Sequence, residues 1–190
     1  GLWDGGGSAW AEWRDGIRYP LKWGTPIREY RYADEAGEFL YSVVRFEPKS
    51  FRPGYYVGGR WVWRKHSRQI LYRLPEVIEA PIVFLVEGEK DAERLREQGF
   101  VATTAAGGAE APWLSDYTET LAGREVVLIP DRDVPGRKRA ATIVPALFGK
   151  VARLIVLDLE HAGKDVSDWF DAVHSELELI ALVEGEGVTQ

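Results

Sequence analysis

Apolar and polar positions alternate in short runs between residues 28 and 73, and this period of two predicts strands. Glu29-Tyr30-Arg31-Tyr32 is one run, a turn follows over 34–37, and 39–46 is a second strand. Gly58-Gly59 parts Tyr55-Tyr56-Val57 from Arg60-Trp61-Val62-Trp63-Arg64, the composition of a tight two-residue hairpin. Residues 70–73 are expected to add a further strand. Beyond residue 80 the pattern changes. Continuous apolar runs at 82–86, 101–104, 126–129 and 154–157 alternate with helical segments near 89–98, 112–121, 136–148 and 166–173. Strands apolar on both faces, separated by helices, imply a largely parallel sheet covered on both sides. Pro145 interrupts its helical segment, where a kink is expected.

These patterns divide the chain into an α/β fold with a smaller β-rich part. The expected boundaries are an irregular, linker-like aromatic segment over 1–27, a β-rich subdomain over 28–79, an α/β domain over 80–174, and a C-terminal helix and tail over 175–190. Gly5-Gly6-Gly7-Ser8 has linker composition, and Trp3, Trp10 and Trp13 around it show no clear period. No apolar run approaches the roughly 18 residues of a membrane-spanning helix, and no signal peptide is evident, so a cytoplasmic protein is expected. Cysteine is absent, which excludes disulfides and thiolate metal sites. Methionine is absent too, and the expectation is a piece of a longer protein.

The net charge of −6 conceals a strong division. Residues 14–74 hold thirteen basic and six acidic side chains, net +7, whereas 75–190 hold eleven basic and twenty-two acidic, net −11. A basic module joined to an acidic one suits a nucleic-acid tether beside a cation site; the alternative is an accident of surface composition.

Three acidic clusters stand at or after expected strand ends: Val-Glu-Gly-Glu-Lys-Asp over 86–91, Pro-Asp-Arg-Asp over 130–133, and Lys-Asp-Val-Ser-Asp over 164–168. In parallel sheets ligands bind beyond the carboxyl ends of the strands. Two like charges about 4 Å apart repel by about 4 kcal/mol at an effective dielectric near 20, so such a gathering implies a bound cation. All-oxygen ligation points to Mg2+ or Mn2+. Taken singly, Glu87 also reads as a first-turn carboxylate favoured by a helix dipole, and Asp131 and Asp133 as a turn pair before Pro-Gly.

An apolar strand ending in Glu-Gly, a later one ending in Asp-x-Asp and a small-residue loop between them together resemble the TOPRIM domain of topoisomerases, primases and some nucleases. The wording of 86–92, 103–109, 130–137 and 164–169 is similar to phage- and plasmid-type DNA primases, as are Arg45-Phe46-Glu47-Pro48-Lys49 and Leu71-Tyr72-Arg73-Leu74-Pro75. The resemblance implies a TOPRIM-like, mostly parallel sheet flanked by helices, covering about 80–173. It implies Glu87 as metal ligand or general base, Asp131 and Asp133 as the metal pair, Asp165 as a further ligand, and Asp91 as the acid closing the first motif; Asp168 is expected as a supporting acid or else as a helix-surface or capping residue. It also implies primer synthesis from nucleoside triphosphates on a single-stranded DNA template, with Mg2+ or Mn2+, in a replication protein that carries or meets a replicative helicase. A TOPRIM nuclease and a noncatalytic nucleic-acid-binding module are the alternatives. The zinc-binding module and helicase region of many primases are not recognisable.

Arg137, Lys138 and Arg139 occupy an expected helix N-terminus, where cations are disfavoured by about 0.3–1 kcal/mol each. A phosphate there would reverse the penalty, with Arg132, Lys90 and Lys164 assisting; pairing with Asp131 and Asp133 is the other reading. Gly107-Gly108 suits a loop near phosphate or a plain turn, and lacks the Gly-Lys-Ser/Thr of a P-loop. Trp61 and Trp63 share a strand face and, with Arg60 and Arg64, form either a base-stacking platform or part of a small sheet's core. Trp113 and Trp169 are expected to pack helices on the main sheet. His66, His161 and His174 show no paired spacing for zinc.

Overall fold

The computed structural model describes residues 9–107, 111–159 and 163–185. Trp3, the Gly5–Ser8 segment, Gly108 and His161 lie outside the described residues. The chain forms two compact units, one comprising residues up to Ala33 together with Glu38–Arg68, the other Asp34–Gly37 together with Gln69 onward.

The first unit is antiparallel. Strands β1 (Trp10–Arg14) and β2 (Ile17–Pro20) form a hairpin, and a 3-10 turn over Leu21–Trp23 leads into β3 (Thr25–Ala33). β3, β4 (Phe39–Glu47), β5 (Ser50–Val57) and β6 (Arg60–Val62) then pair in sequence order. The hairpin expected at Gly58-Gly59 rests on left-handed turn residues: Gly58 and Gly59 have φ of 55° and 76°, as a type I′ connection requires. β4 is buried along most of its length. Val44 and Phe46 join Tyr19 in a core lined by Trp13, Trp23 and Trp63, while Tyr41 stacks on Tyr32 with centroids 4.5 Å apart.

The expectation of an irregular segment over 1–27 is corrected for residues 10–27. Asp15-Gly16, at φ 49° and 74°, is a second two-residue hairpin turn, and Ile17 and Tyr19 are buried on either side of exposed Arg18. The strands are four and five residues long, too short for alternation to stand out among scattered tryptophans.

The second unit is the parallel α/β part. Its helices are α1 (Leu74–Glu79), α2 (Glu89–Glu97), α3 (Ser115–Leu121), α4 (Val134–Leu147), α5 (Val166–Asp171) and α6 (Glu176–Gly185). Strands β7 (Ile82–Leu85), β8 (Ala102–Thr103), β9 (Glu125–Leu128) and β10 (Arg153–Val156) form one parallel sheet in the order β10-β9-β7-β8. Val83, Leu85, Val126 and Leu128 alternate onto one face. They pack there with Val77 of α1, Tyr117 and Leu121 of α3, and Ile143 and Leu147 of α4. α2 packs on β7, β8 and α5. Continuous apolar runs thus became strands because both sheet faces are covered.

Three local expectations change. Residues 69–79 belong to the second unit: the expected strand at 70–73 is a single antiparallel bridge, Leu71 to Ala105, and α1 follows with Pro75 in its first turn. Proline fits there because a first-turn N–H has no helical partner to lose. α4 is continuous through Pro145; the ring lies two residues before the helix end, and the Phe148 N–H donates to the Val144 carbonyl at 2.9 Å to close the last turn. α5 stops at Asp171, because Val173 turns left-handed at φ 68°. Among the described residues no helix is long and apolar enough to cross a membrane.

Candidate active site

β8 lies on one side of β7 and β9 on the other, so the chain order reverses between β7 and β9. Such a reversal leaves a crevice beyond the carboxyl ends of the two strands. Leu85 pairs with Leu128, and the Ile129 N–H donates to the Leu85 carbonyl at 2.9 Å. This register sets Glu87, two residues past β7, beside Asp131, three past β9. Glu87 Oε1 accepts the Asp131 N–H at 3.3 Å.

Gly136 makes that approach possible. A Cβ there would lie 2.2 Å from the Asp131 carbonyl oxygen and 2.5 Å from Glu87 Oε1. Asp133 caps α4, its Oδ1 accepting the Gly136 N–H at 2.7 Å, and Asp165 caps α5 in the same way, accepting the Asp168 N–H at 2.8 Å. A side-chain cap is worth about 1 kcal/mol, and the helix dipoles favour carboxylates at these ends.

Lys164 supplies the cation. Its Nζ stands 3.2 Å from Asp131 Oδ2 and 3.0 Å from Asp133 Oδ2. Asp168 Oδ2 accepts the Lys164 N–H at 2.8 Å, and the Lys164 carbonyl accepts from the Arg132 N–H at 2.8 Å, so the lysine backbone is held from both sides. The two aspartates on this ammonium move in opposite directions. Burial raises the Asp131 carboxyl above its ordinary value against the pull of Lys164, whereas the Gly136 N–H and Lys164 hold Asp133 below its own. Burial, then the Asp131 charge, raises Glu87. Pairing with Asp133 and Asp131 raises Lys164.

Glu87 and the Lys164-bridged pair of Asp131 and Asp133 are therefore neighbours, Arg137 adds its charge to the lowering of Asp133, and several of the remaining sequence candidates have other partners. Lys90 Nζ lies 3.8 Å from Asp165 Oδ2. Arg132 Nε lies 2.8 Å from Asp158 Oδ1. Arg137 and Lys138 are exposed on the first turns of α4 and form no salt bridge among the described residues. Asp91 is buried on α2 and accepts a hydrogen bond from Ser167 of α5, which ties the two helices together; burial first, with the Asp165 charge adding, pushes it up to about 6 despite that bond. In the first unit, Arg64 Nε donates to the Tyr55 hydroxyl at 2.6 Å, and Trp63 Nε1 donates to the Arg18 carbonyl at 2.6 Å with its ring against Phe46 and Trp23. Arg60 is exposed, and Trp61 is half-buried.

Arg139, expected with Arg137 and Lys138 as an exposed phosphate-facing cation, is buried instead, and Ser167 has no role of its own in the sequence reading. Arg139 is only 6% exposed; its Nη1 donates to the Ala111 carbonyl at 2.9 Å, and its charge opposes the upward shift of Glu87. Ser167 is the partner of Asp91. Arg139 was legible as part of a buried stripe, Gly136, Arg139, Ile143 and Leu147 at helical spacing, that the run of three cations concealed.

Among the described residues no three His, Asp or Glu side chains stand close enough to share one metal ion. Carboxylates are the donors that suit a hard divalent cation, but in this arrangement the charge such an ion would neutralise is met by the Lys164 ammonium.

No protein-family model and no curated protein sequence matches the chain. Its fold is similar to solved primase structures. The primase fragment of the bacteriophage T7 primase-helicase protein aligns with a TM-score of 0.59 and 21% identity, over 90% of this chain and 64% of that one. The Aquifex aeolicus primase, comprising zinc-binding and RNA polymerase domains, aligns at 0.64 and 20%, over 94% and 44%. A DnaG primase catalytic domain bound to single-stranded DNA aligns at 0.62 and 18%, over 93% and 57%. The chain spans less than two thirds of each of these three.

Proposed function

We propose that this chain is the catalytic part of a primase-like nucleotidyltransferase, with a TOPRIM-type site that joins nucleoside triphosphates into an RNA primer on single-stranded DNA. The observation that carries the reading is the hydrogen bond from the Asp131 backbone to Glu87, beside the Lys164-bridged pair of Asp131 and Asp133, at the chain reversal between β7 and β9 in a fold similar to that of primases.

In this reading Glu87, Asp131 and Asp133 hold Mg2+ or Mn2+, with Asp165 as a further ligand. Bound there, the ion neutralises charge developing on the transferred phosphoryl group and its leaving pyrophosphate. The reaction joins a ribose 3′-oxygen to the α-phosphorus as the bond to the bridging oxygen of pyrophosphate breaks. Glu87, its proton affinity raised by burial, accepts the hydroxyl proton at a carboxylate oxygen. Lys164, Arg137 and Lys138 meet the triphosphate, with Lys90 and Arg132 at its edge. Asp91 and Asp168 act as supports, through Ser167 and the Lys164 backbone. Arg60, Trp61, Trp63 and Arg64 belong to the template-binding unit, Trp63 by packing. A replicative helicase is the proposed partner in a longer protein.

The test is incubation of the wild type and Glu87→Gln with Mg2+ or Mn2+, labelled nucleoside triphosphates and single-stranded DNA. New RNA made only by the wild type supports the reading. Shortened DNA replaces it with a nuclease, and retained DNA binding without either product replaces it with a binding module.

A further inference from the structure

The first unit contains an open cleft of about 1000 Å3, lined from the β1–β2 hairpin, the 3-10 turn after it and the β5–β6 hairpin. Its walls carry Trp10, Trp23, Tyr56 and Trp61, with Arg18 and Arg60 beside them and one carboxylate, Asp15. Tyr56 is 45% exposed, the three tryptophans are half-buried, and both arginines are exposed. Trp23 packs on the core of Tyr19, Val44 and Phe46 and carries Arg52 over its ring, whereas that core does not include Trp10, Tyr56 or Trp61.

The rings are held rigidly. Tyr56 and Trp61 meet edge to face at 5.0 Å, Trp61 and Trp63 at 5.4 Å, and Trp63 and Trp23 at 5.4 Å, so each braces the next. Gly54 of β5 seats Trp61: a Cβ there would lie 2.5 Å from the indole Cζ2, so only glycine lets the ring lie against the strand. Preset aromatic faces beside cations recognise flat, electron-rich groups linked by anions, which is the chemistry of unpaired nucleotides. The surrounding segment is net +7 over residues 14–74, complementary to a polyanion. The cleft stands at the upper end of the roughly 300–1,000 Å3 of small-ligand sites, more than one mononucleotide fills. Bases inside a duplex present no free face to stack.

We propose that this cleft seats a short run of unpaired nucleotides of single-stranded nucleic acid, bases on Tyr56, Trp61 and Trp10 and phosphates on Arg18 and Arg60. The proposal rests on reading the chain as a nucleic-acid enzyme, but it uses none of the acidic crevice. It extends the sequence expectation for Trp61 and Arg60 to residues brought in by the N-terminal hairpin.

The experiment measures binding of the full chain to a labelled single-stranded oligonucleotide of about 12 nucleotides, within the 4–16 spanned by single-strand sites, by anisotropy and tryptophan quenching. Tyr56→Ala, chosen because the side chain is exposed, is expected to weaken binding about fivefold or more, the equivalent of about 1 kcal/mol for one lost stack. Arg18→Gln with Arg60→Gln weakens it further and flattens the salt dependence, whereas Lys150→Gln in the other unit leaves it unchanged. Circular dichroism confirms that each variant is folded. Wild-type affinity in folded Tyr56→Ala and in the arginine variant overturns the proposal, as does equal competition by a duplex or a mononucleotide. Primer synthesis that fails while these variants still lose binding removes the catalytic reading and leaves the cleft; primer synthesis with unchanged binding does the reverse.

Discussion

The α-carbon of Gly136 faces Glu87 so closely that a methyl group on it would sit 2.5 Å from the carboxylate oxygen Oε1. The same methyl would meet the Asp131 carbonyl at 2.2 Å, a backbone atom with no rotamer to escape into. Gly136→Ala is therefore expected to push Glu87 out of line and lower nucleotide incorporation at least 100-fold, the scale of a small misplacement at a reacting centre. Overpacking costs about 1–3 kcal/mol of stability, measurable by urea unfolding. Wild-type incorporation in folded Gly136→Ala would show that Glu87 need not hold this position.

Lys164 occupies Asp131 and Asp133, so a divalent ion held there as proposed would have to compete with it. Its side chain is 54% exposed, so the Coulomb energy of about 4 kcal/mol for a contact pair is discounted to about 1 kcal/mol. Lys164→Met is expected to bind Mn2+ about fivefold more tightly by calorimetry, while losing nucleotide incorporation. Weaker Mn2+ binding would mean that the ammonium arranges the carboxylates instead of competing.

Asp91 carries a pH signature. Its folded carboxyl is pushed from 3.8 to about 6 by burial, so between those values the folded protein holds a proton that the unfolded chain has released. Unfolding free energy therefore falls as pH rises through that window, and the loss is complete above it. Asp91→Asn keeps an oxygen for the Ser167 hydroxyl and removes the charge. Its stability advantage in urea is expected to reach about 2–3 kcal/mol at alkaline pH and to vanish below the unfolded value, from the cost of about 1.36 kcal/mol per pKa unit. A pH-independent difference would contradict this.

Val173 is 92% exposed yet adopts φ 68°, a left-handed position that glycine takes without steric cost after a helix. A left-handed L-residue costs about 1–2 kcal/mol, and an exposed side chain loses no burial when removed. After the extra entropy of glycine in the unfolded chain, Val173→Gly is expected to gain about 1 kcal/mol in chemical denaturation. A loss of stability would show that the valine side chain makes a contact worth more than the strain.

The order of strands and helices, the covered parallel sheet and the acidic strand ends were legible in the chain itself, because period and strand-end chemistry are written in neighbouring residues. Glu87 follows its apolar run directly, and Asp131 and Asp133 follow theirs. The hairpin at Gly58-Gly59 was legible for the same local reason, while the one at Asp15-Gly16 was lost because its strands are so short. Which carboxylates meet, and what neutralises them, depended on strand order and register. The reversal between β7 and β9 sets Glu87 against Asp131, and the loop before α5 brings Lys164 to both aspartates. Asp91 and Ser167 are 76 positions apart, and Trp10 reaches the same cleft as Trp61 only because a hairpin folds beside the sheet. Pairings of that kind leave no period along the chain, since they are selected by how the elements pack, and tertiary structure alone decided them.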